Sequence, residues 1–205
     1  LVSSQIIENN LPDPLPLFAA IGSVFWILQI STLAKGIEYK RSAALEMGYG
    51  ILVVLCAWAA MVWLRHSGDD GALTMLVAIT VVWAADTFAY FVGVKLGRNK
   101  LAPSISPGKS IEGVVGGMIG AVVVSWIGAS LLLGLGGWKL LWWLIAAAFA
   151  AAISVVGDLY ISRLKRQAGV KDSGKLLPGH GGILDRIDGL LAAMPLFAAC
   201  WWLLQ

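Results

Sequence analysis

Gly113 to Trp138 reads GVVGGMIGAVVVSWIGASLLLGLGGW, 26 residues without a charge. A helix needs about 17–25 predominantly apolar residues to cross the hydrocarbon of a bilayer, so this stretch is long enough to span one. Working outward, Leu17 to Ala34, Met47 to Leu64 and Leu140 to Gly157 are equally free of charge. Ala72 to Val94 qualifies apart from Asp86, and Gly189 to Leu204 is short but can be extended by its flanks. No strand-like alternation is long enough to build a barrel, and no internal repeat is visible. In lipid the backbone must then be satisfied within helices. The expected fold class is all-α, a polytopic transmembrane bundle of about six spans.

Composition agrees. The 205 residues are 59% hydrophobic and 13% charged, against about a quarter charged in a soluble domain. Ten Trp fit the membrane–water interface, where the ring is apolar and its N–H stays wet, and are expected as anchors. Cys56 and Cys200 lie in apolar runs with no His or second Cys at metal-ligand spacing, so neither a zinc site nor a disulfide framework is suggested.

The basic residues set the topology. The connections after spans one, three and five carry Lys35, Lys40 and Arg41; Lys95, Arg98, Lys100 and Lys109; and Arg163, Lys165, Arg166, Lys171, Lys175 and Arg186. Only Arg65 and Lys139 of the fifteen fall elsewhere. Because Lys and Arg in short loops favour the cytoplasmic side, these three connections are expected there and both ends of the chain outside. The net charge of +3 is thus grouped in short loops, which favours anionic lipids and phosphate substrates as partners and argues against nucleic acid. The chain starts at Leu1 without a signal-peptide pattern and is expected to begin part-way through a longer protein.

Two of the basic connections carry chemistry. In the first, Ser106 and Ser110 offer hydroxyls, Lys109 a cation, and the helix opening near Ile111 its free N–H groups, a set that suits a phosphate. The spacing of a P-loop is absent, and an ordinary Ser-capped helix start explains Ser110 as well. Asp86, inside a span, costs at least ~2.5 kcal/mol on insertion scales unless it meets a partner or a wet cavity. A functional role is favoured over a neutral structural one.

The second connection, GDLYISRLKRQAGVKDSGKLLPGHGGILDRID from Gly157 to Asp188, holds ten formally charged residues. If span five continues as a helix, Asp158, Ser162 and Lys165 share a face, with Arg166 beside them. Pro178, Gly179, Gly181 and Gly182 force a turn around His180, whose role, structural or catalytic, the spacing leaves open. Asp185 and Asp188 face the same way at the start of the last span, where helix capping is the rival account. Mg2+ takes oxygen ligands and shares them among one or two carboxylates, water and substrate phosphates, and Asp158 with Asp185 could supply that pair.

From Ser162 to Asp188 the chain resembles the phosphatidate cytidylyltransferases, also called CDP-diacylglycerol synthases. Their pattern S-x-x-K-R-x4-K-D-x-G-x-x-x-P-x-H-G-G-x-x-D-R-x-D is matched by Ser162, Lys165, Arg166, Lys171, Asp172, Gly174, Pro178, His180, Gly181, Gly182, Asp185, Arg186 and Asp188. DTFAYFVG, KLAPSISPGKSIEG and GDL upstream are similar to the family as well. The likeness is dense from Trp83 onward, whereas residues 1–82 match mainly in hydropathy, so one membrane-embedded domain is expected with its catalytic core in 83–205. Gly189 stands where the family commonly has Ser, a departure expected to be tolerated.

The resemblance implies transfer of a cytidylyl group from CTP to phosphatidic acid, giving CDP-diacylglycerol and pyrophosphate. It implies Mg2+, alone or with a second cation, on Asp158 and Asp185. Lys165, Arg166, Lys171 and Lys109 would neutralise phosphates, with Asp188 and Asp172 as further ligands or orienters. Ser106, Ser162, His180, Arg186 and Asp86 complete the expected substrate-binding set. An active site on the cytoplasmic face of a bacterial inner membrane is expected, with a homo-oligomer allowed. Two rivals remain: a CTP-dependent lipid-alcohol kinase, which would need a base for its hydroxyl nucleophile and would release CDP, and a transporter using Asp86 and Asp158.

Overall fold

The computed structural model describes residues 13–35, 41–174 and 182–203. Six helices follow one another, α1 (Leu15–Leu33), α2 (Ala43–His66), α3 (Gly71–Leu96), α4 (Ile111–Leu131), α5 (Gly137–Gln167) and α6 (Leu184–Trp202). The first five are long and apolar enough to cross a membrane. On α6, Asp185, Arg186 and Asp188 precede the apolar stretch that begins at Gly189. The chain is an all-α integral membrane bundle, as its hydropathy requires.

Two helix ends depart from the bare apolar runs, and a short hairpin is added between α3 and α4. The fourth apolar run does not stay helical to Trp138: α4 ends at Leu131, because Gly134 and Gly137 adopt φ of +60° and +56° and turn the chain into α5. Span five does not stop at Gly157 but runs on to Gln167, carrying its charged residues out on a continuous helix. Between α3 and α4 the chain forms a small antiparallel hairpin, β1 (Lys100–Ala102) with β2 (Ser106–Ser110). Both strands are too short for periodicity to reveal.

The hairpin is tied to the helix that follows it. Glu112 accepts hydrogen bonds from the backbone N–H of Arg98 (3.1 Å) and Asn99 (3.2 Å) and from Asn99 Nδ2 (2.7 Å). Ser110 caps α4, its hydroxyl accepting from Gly113 N at 3.1 Å. Ile105, in the turn, is buried and anchors the hairpin from below.

Small residues set the α3–α4 distance. A Cβ at Gly117 would lie 2.6 Å from the Ala85 carbonyl oxygen and one at Gly113 2.9 Å from that of Ala89, so the backbones touch where only glycine fits. On the other side α1, α2, α5 and α6 enclose an aromatic core. Trp143 packs edge-on against Phe197 (4.6 Å) and Trp201 (4.9 Å). Pro195 lacks the N–H that would bond Leu191 O within α6, and Trp26 Nε1 donates to that carbonyl instead at 2.9 Å. Trp26, Trp63 and Trp143 are therefore core residues, correcting the expectation that the tryptophans are interfacial anchors. Trp58, Trp83, Trp126, Trp138 and Trp202 are exposed on the outside of the bundle. Both cysteines are free thiols, Cys56 buried and Cys200 half-buried.

Candidate active site

A cavity of about 1180 Å³ opens between α3, α4, α5, the start of α6 and the hairpin. It exceeds the ~300–1,000 Å³ of an ordinary small-molecule pocket and has room for more than one substrate. Its lining divides by chemistry. Asp86, Asp158, Asp185 and Asp188 supply carboxylates, Lys100, Lys109 and Arg186 supply cations, and Ser106, Ser110 and Ser154 supply hydroxyls. Trp83, Tyr90, Val94, Val114 and Met118 form an apolar wall continuous with the lipid-facing side of α3 and α4. A polar floor beside a greasy wall suits a molecule with a charged head and hydrocarbon tails.

The continuation of α5 decides the site's geometry. On its emerging face Ser162 Oγ donates to Asp158 Oδ1 at 3.2 Å, one turn back. The other oxygen of Asp158 is paired with the Lys109 ammonium, which the hairpin delivers from across the cavity. One turn further out, Lys165 Nζ donates to Asp185 Oδ1 at 2.7 Å and joins α5 to α6. The expected i, i+4, i+7 face is therefore present, and each of its ends meets a partner from a distant part of the chain.

Asp185 is a junction. Its Oδ2 accepts from Ser173 N (2.8 Å), Ser173 Oγ (3.0 Å) and Gly182 N (3.0 Å). It lies on the polar first turn of α6, ahead of the apolar stretch. Burial works against its charge, but the Lys165 ammonium and the Ser173 and Gly182 donors outweigh that, holding the carboxyl well below the usual carboxylate range. It is ionised throughout the physiological pH range. Asp188, one turn on, lines the cavity and bonds its own helix at Gly189 N (2.8 Å).

The remaining expected residues divide. Asp86, Ser106, Lys109, Asp158, Asp185, Arg186 and Asp188 meet at the cavity. Ser162 and Lys165 stand behind it and hold its carboxylates. Arg166 does not line the cavity; its Nε donates to Ile105 O at 3.5 Å and ties α5 to the hairpin turn. Lys171 and Asp172 are exposed on the α5–α6 connection, away from the cavity lining. His180 lies outside the described residues. Sequence reasoning missed Lys100 as a lining cation, Ser173 as a holder of Asp185 and Glu112 as the organiser of the hairpin. Only Glu112 had a local signal, as an acid on the first turn of a helix.

A cavity with carboxylates, cations and an apolar side wall suits a polyanion carried on a lipid. Residues 5–204 match the model of the cytidylyltransferase family. Relatives named phosphatidate cytidylyltransferase are 41% identical in Pseudomonas aeruginosa over 94% of this chain and 72% of that protein, and 43% identical in Haemophilus influenzae over 87% and 66%. A third, from Thermotoga maritima, is 45% identical over 89% of this chain and 67% of its own length. The chain belongs to the cytidylyltransferase family.

Proposed function

We propose that this protein transfers the cytidylyl group of CTP to phosphatidic acid, forming CDP-diacylglycerol and pyrophosphate at the cytoplasmic face of a bacterial inner membrane. The observation that carries the reading is the pairing of two carboxylate–lysine contacts, Lys109 with Asp158 and Lys165 with Asp185, at one cavity with an apolar wall. A lipid phosphate oxygen attacks the α-phosphorus of CTP, a new P–O bond forms, and the bond to the β-phosphate breaks to release pyrophosphate. The attacking group is already an anion at neutral pH, so no general base is required. Catalysis then rests on holding two polyanions together and offsetting their charge.

The residues divide that work by position. Lys109, Lys100 and Arg186 line the cavity and offset phosphate charge. Ser106 is placed to bond a phosphate oxygen, whereas Ser110 is engaged in capping α4. The apolar wall from Trp83 to Met118 takes the acyl chains.

Asp158 and Asp185 would be the hard oxygen ligands of Mg2+ at this cavity, Asp158 through the oxygen now paired with Lys109, and Asp185 only by exchanging Lys165 or the Ser173 and Gly182 donors that occupy its two oxygens. Bound there, the ion would withdraw charge from the phosphates. Asp188 and Asp86 are the further carboxylates within the same lining.

The test is to incubate the purified protein with CTP, phosphatidic acid and Mg2+. CDP-lipid and pyrophosphate should appear in equal amounts. Release of CDP with a phosphorylated lipid alcohol would instead establish the kinase reading.

A further inference from the structure

On the far side of α5 from the cavity, a second charged cluster lies in the bundle. Arg163 is completely buried. Its NH2 lies 3.5 Å from Glu46 Oε1, and its guanidinium stands 5.1 Å from the centre of the Tyr160 ring. The Tyr160 hydroxyl donates to the other oxygen of Glu46. Arg41 NH1 lies 3.7 Å from Glu46 Oε1, donates to Gln29 Oε1 at 3.2 Å, and covers the Tyr49 ring at 5.0 Å. One carboxylate on the first turn of α2 thus gathers two guanidiniums and a phenol, and two of the three come from α5.

At roughly 100° per residue, Tyr160 and Arg163 project from the face of α5 opposite Asp158, Ser162 and Lys165. We propose that Glu46 is a positioning residue: through Tyr160 and Arg163 it fixes the rotation and height of α5, and so sets Asp158 against Lys109 and Lys165 against Asp185. A charge buried among apolar helices has few acceptable arrangements, whereas the small side chains of α5 from Ala146 to Ala152 offer few shape constraints of their own. The cluster adds a polar constraint on α5 to the close packing of Gly157 against α6. This assigns a role in the reaction to a residue of the first 82, and it rests on the cytidylyl-transfer reading only for its kinetic readout.

The test has two arms, both on the full chain in detergent. In the kinetic arm, Glu46→Gln keeps the shape and an acceptor for Tyr160 but removes the charge. Its folded, monodisperse fraction should show kcat at least tenfold lower with the KM for CTP within about twofold of wild type. The double variant Glu46→Leu with Arg163→Met removes the buried pair and fills its volume, and should recover thermal stability while kcat stays low. Recovery of kcat together with stability would show a purely structural cluster and overturn the proposal, and this variant decides the matter if Glu46→Gln does not fold. The second arm needs no activity. With Cys56 and Cys200 replaced by Ala, cysteines at Lys109 and Asp158 are joined by a short bis-thiosulfonate reagent. Adding Glu46→Gln should slow that cross-link about tenfold, and an unchanged rate would overturn the proposal even if the protein proved to use another nucleotide or lipid.

Discussion

Asp158 and Asp185 come from helices separated by a connection, yet each engages a lysine at the edge of the same cavity. Asn at either position keeps the shape and a carbonyl oxygen but removes the charge that pairs with lysine or a cation. Asp158→Asn and Asp185→Asn should each nearly abolish CDP-lipid formation while the protein stays folded in detergent, and the double variant should lose little more than either single one. Near-normal turnover with unchanged Mg2+ dependence in either single variant would leave Asp158 as a structural partner of Ser162 and Lys109, or Asp185 as a brace of the first turn of α6, with no part in the chemistry. Lys109→Ala should likewise lower kcat/KM, because it removes a lining cation and frees Asp158, while the hairpin persists through Glu112 and Ser110. Lys171 is the informative contrast: it sits in the same family pattern, but the structure places it in the solvent-exposed connection. Lys171→Ala is expected to cost less than Lys109→Ala in the same assay, and the reverse order would bring Lys171 into the site.

Helices fix what single residues cannot, and glycines report where they touch. A Cβ at Gly189 would meet Ser154 Cβ at 3.4 Å, Val82 at 3.6 Å and Asp86 Oδ2 at 3.8 Å, all ordinary contacts. At Gly157, the other side of the α5–α6 contact, it would lie 2.5 Å from the backbone oxygen of Asp188, which cannot move without shifting α6. Gly189→Ser should therefore fold with near wild-type thermal stability and activity, whereas Gly157→Ser should lose both. Equal stability of the two would contradict the close approach of α5 and α6. The helices themselves were legible in the sequence because an uncharged run of bilayer length has few alternatives. Their ends were not: the α5 extension carries too many charges to read as a span, and the hairpin is too short for alternation to register. The face joining Asp158, Ser162 and Lys165 could be read from helical spacing, since all three share one element. Their partners Lys109 and Asp185, and the Glu46 cluster, depend on contacts across the bundle that local periodicity does not encode.

At the scale of the molecule, the positive charge and the cavity lie together. The hairpin after α3 and the extension of α5 meet at one end of the bundle through Lys109–Asp158 and Arg166–Ile105, and Arg41 joins the Glu46–Arg163 cluster beside the same part of α5. The other end has the short turns around Gly68 and Gly134, with Arg65 and Lys139 beside them. In the orientation we propose, the positive-inside bias puts the hairpin end in the cytoplasm, which is also where a nucleotide substrate would be found. Lys100 is exposed on the first hairpin strand and lines the cavity mouth, so it reports on both claims at once. A single cysteine at Lys100, with Cys56 and Cys200 replaced by Ala, should react with a membrane-impermeant thiol reagent in inverted vesicles and remain unlabelled in intact cells. A cysteine at Gly68 should show the opposite pattern. CTP added to inverted vesicles should slow labelling at Lys100 and leave an exposed cysteine at Lys95, outside the cavity lining, unaffected. Labelling at Lys100 from outside intact cells would reverse the orientation of the bundle, whereas correct sidedness without protection by CTP would separate the cavity from the nucleotide.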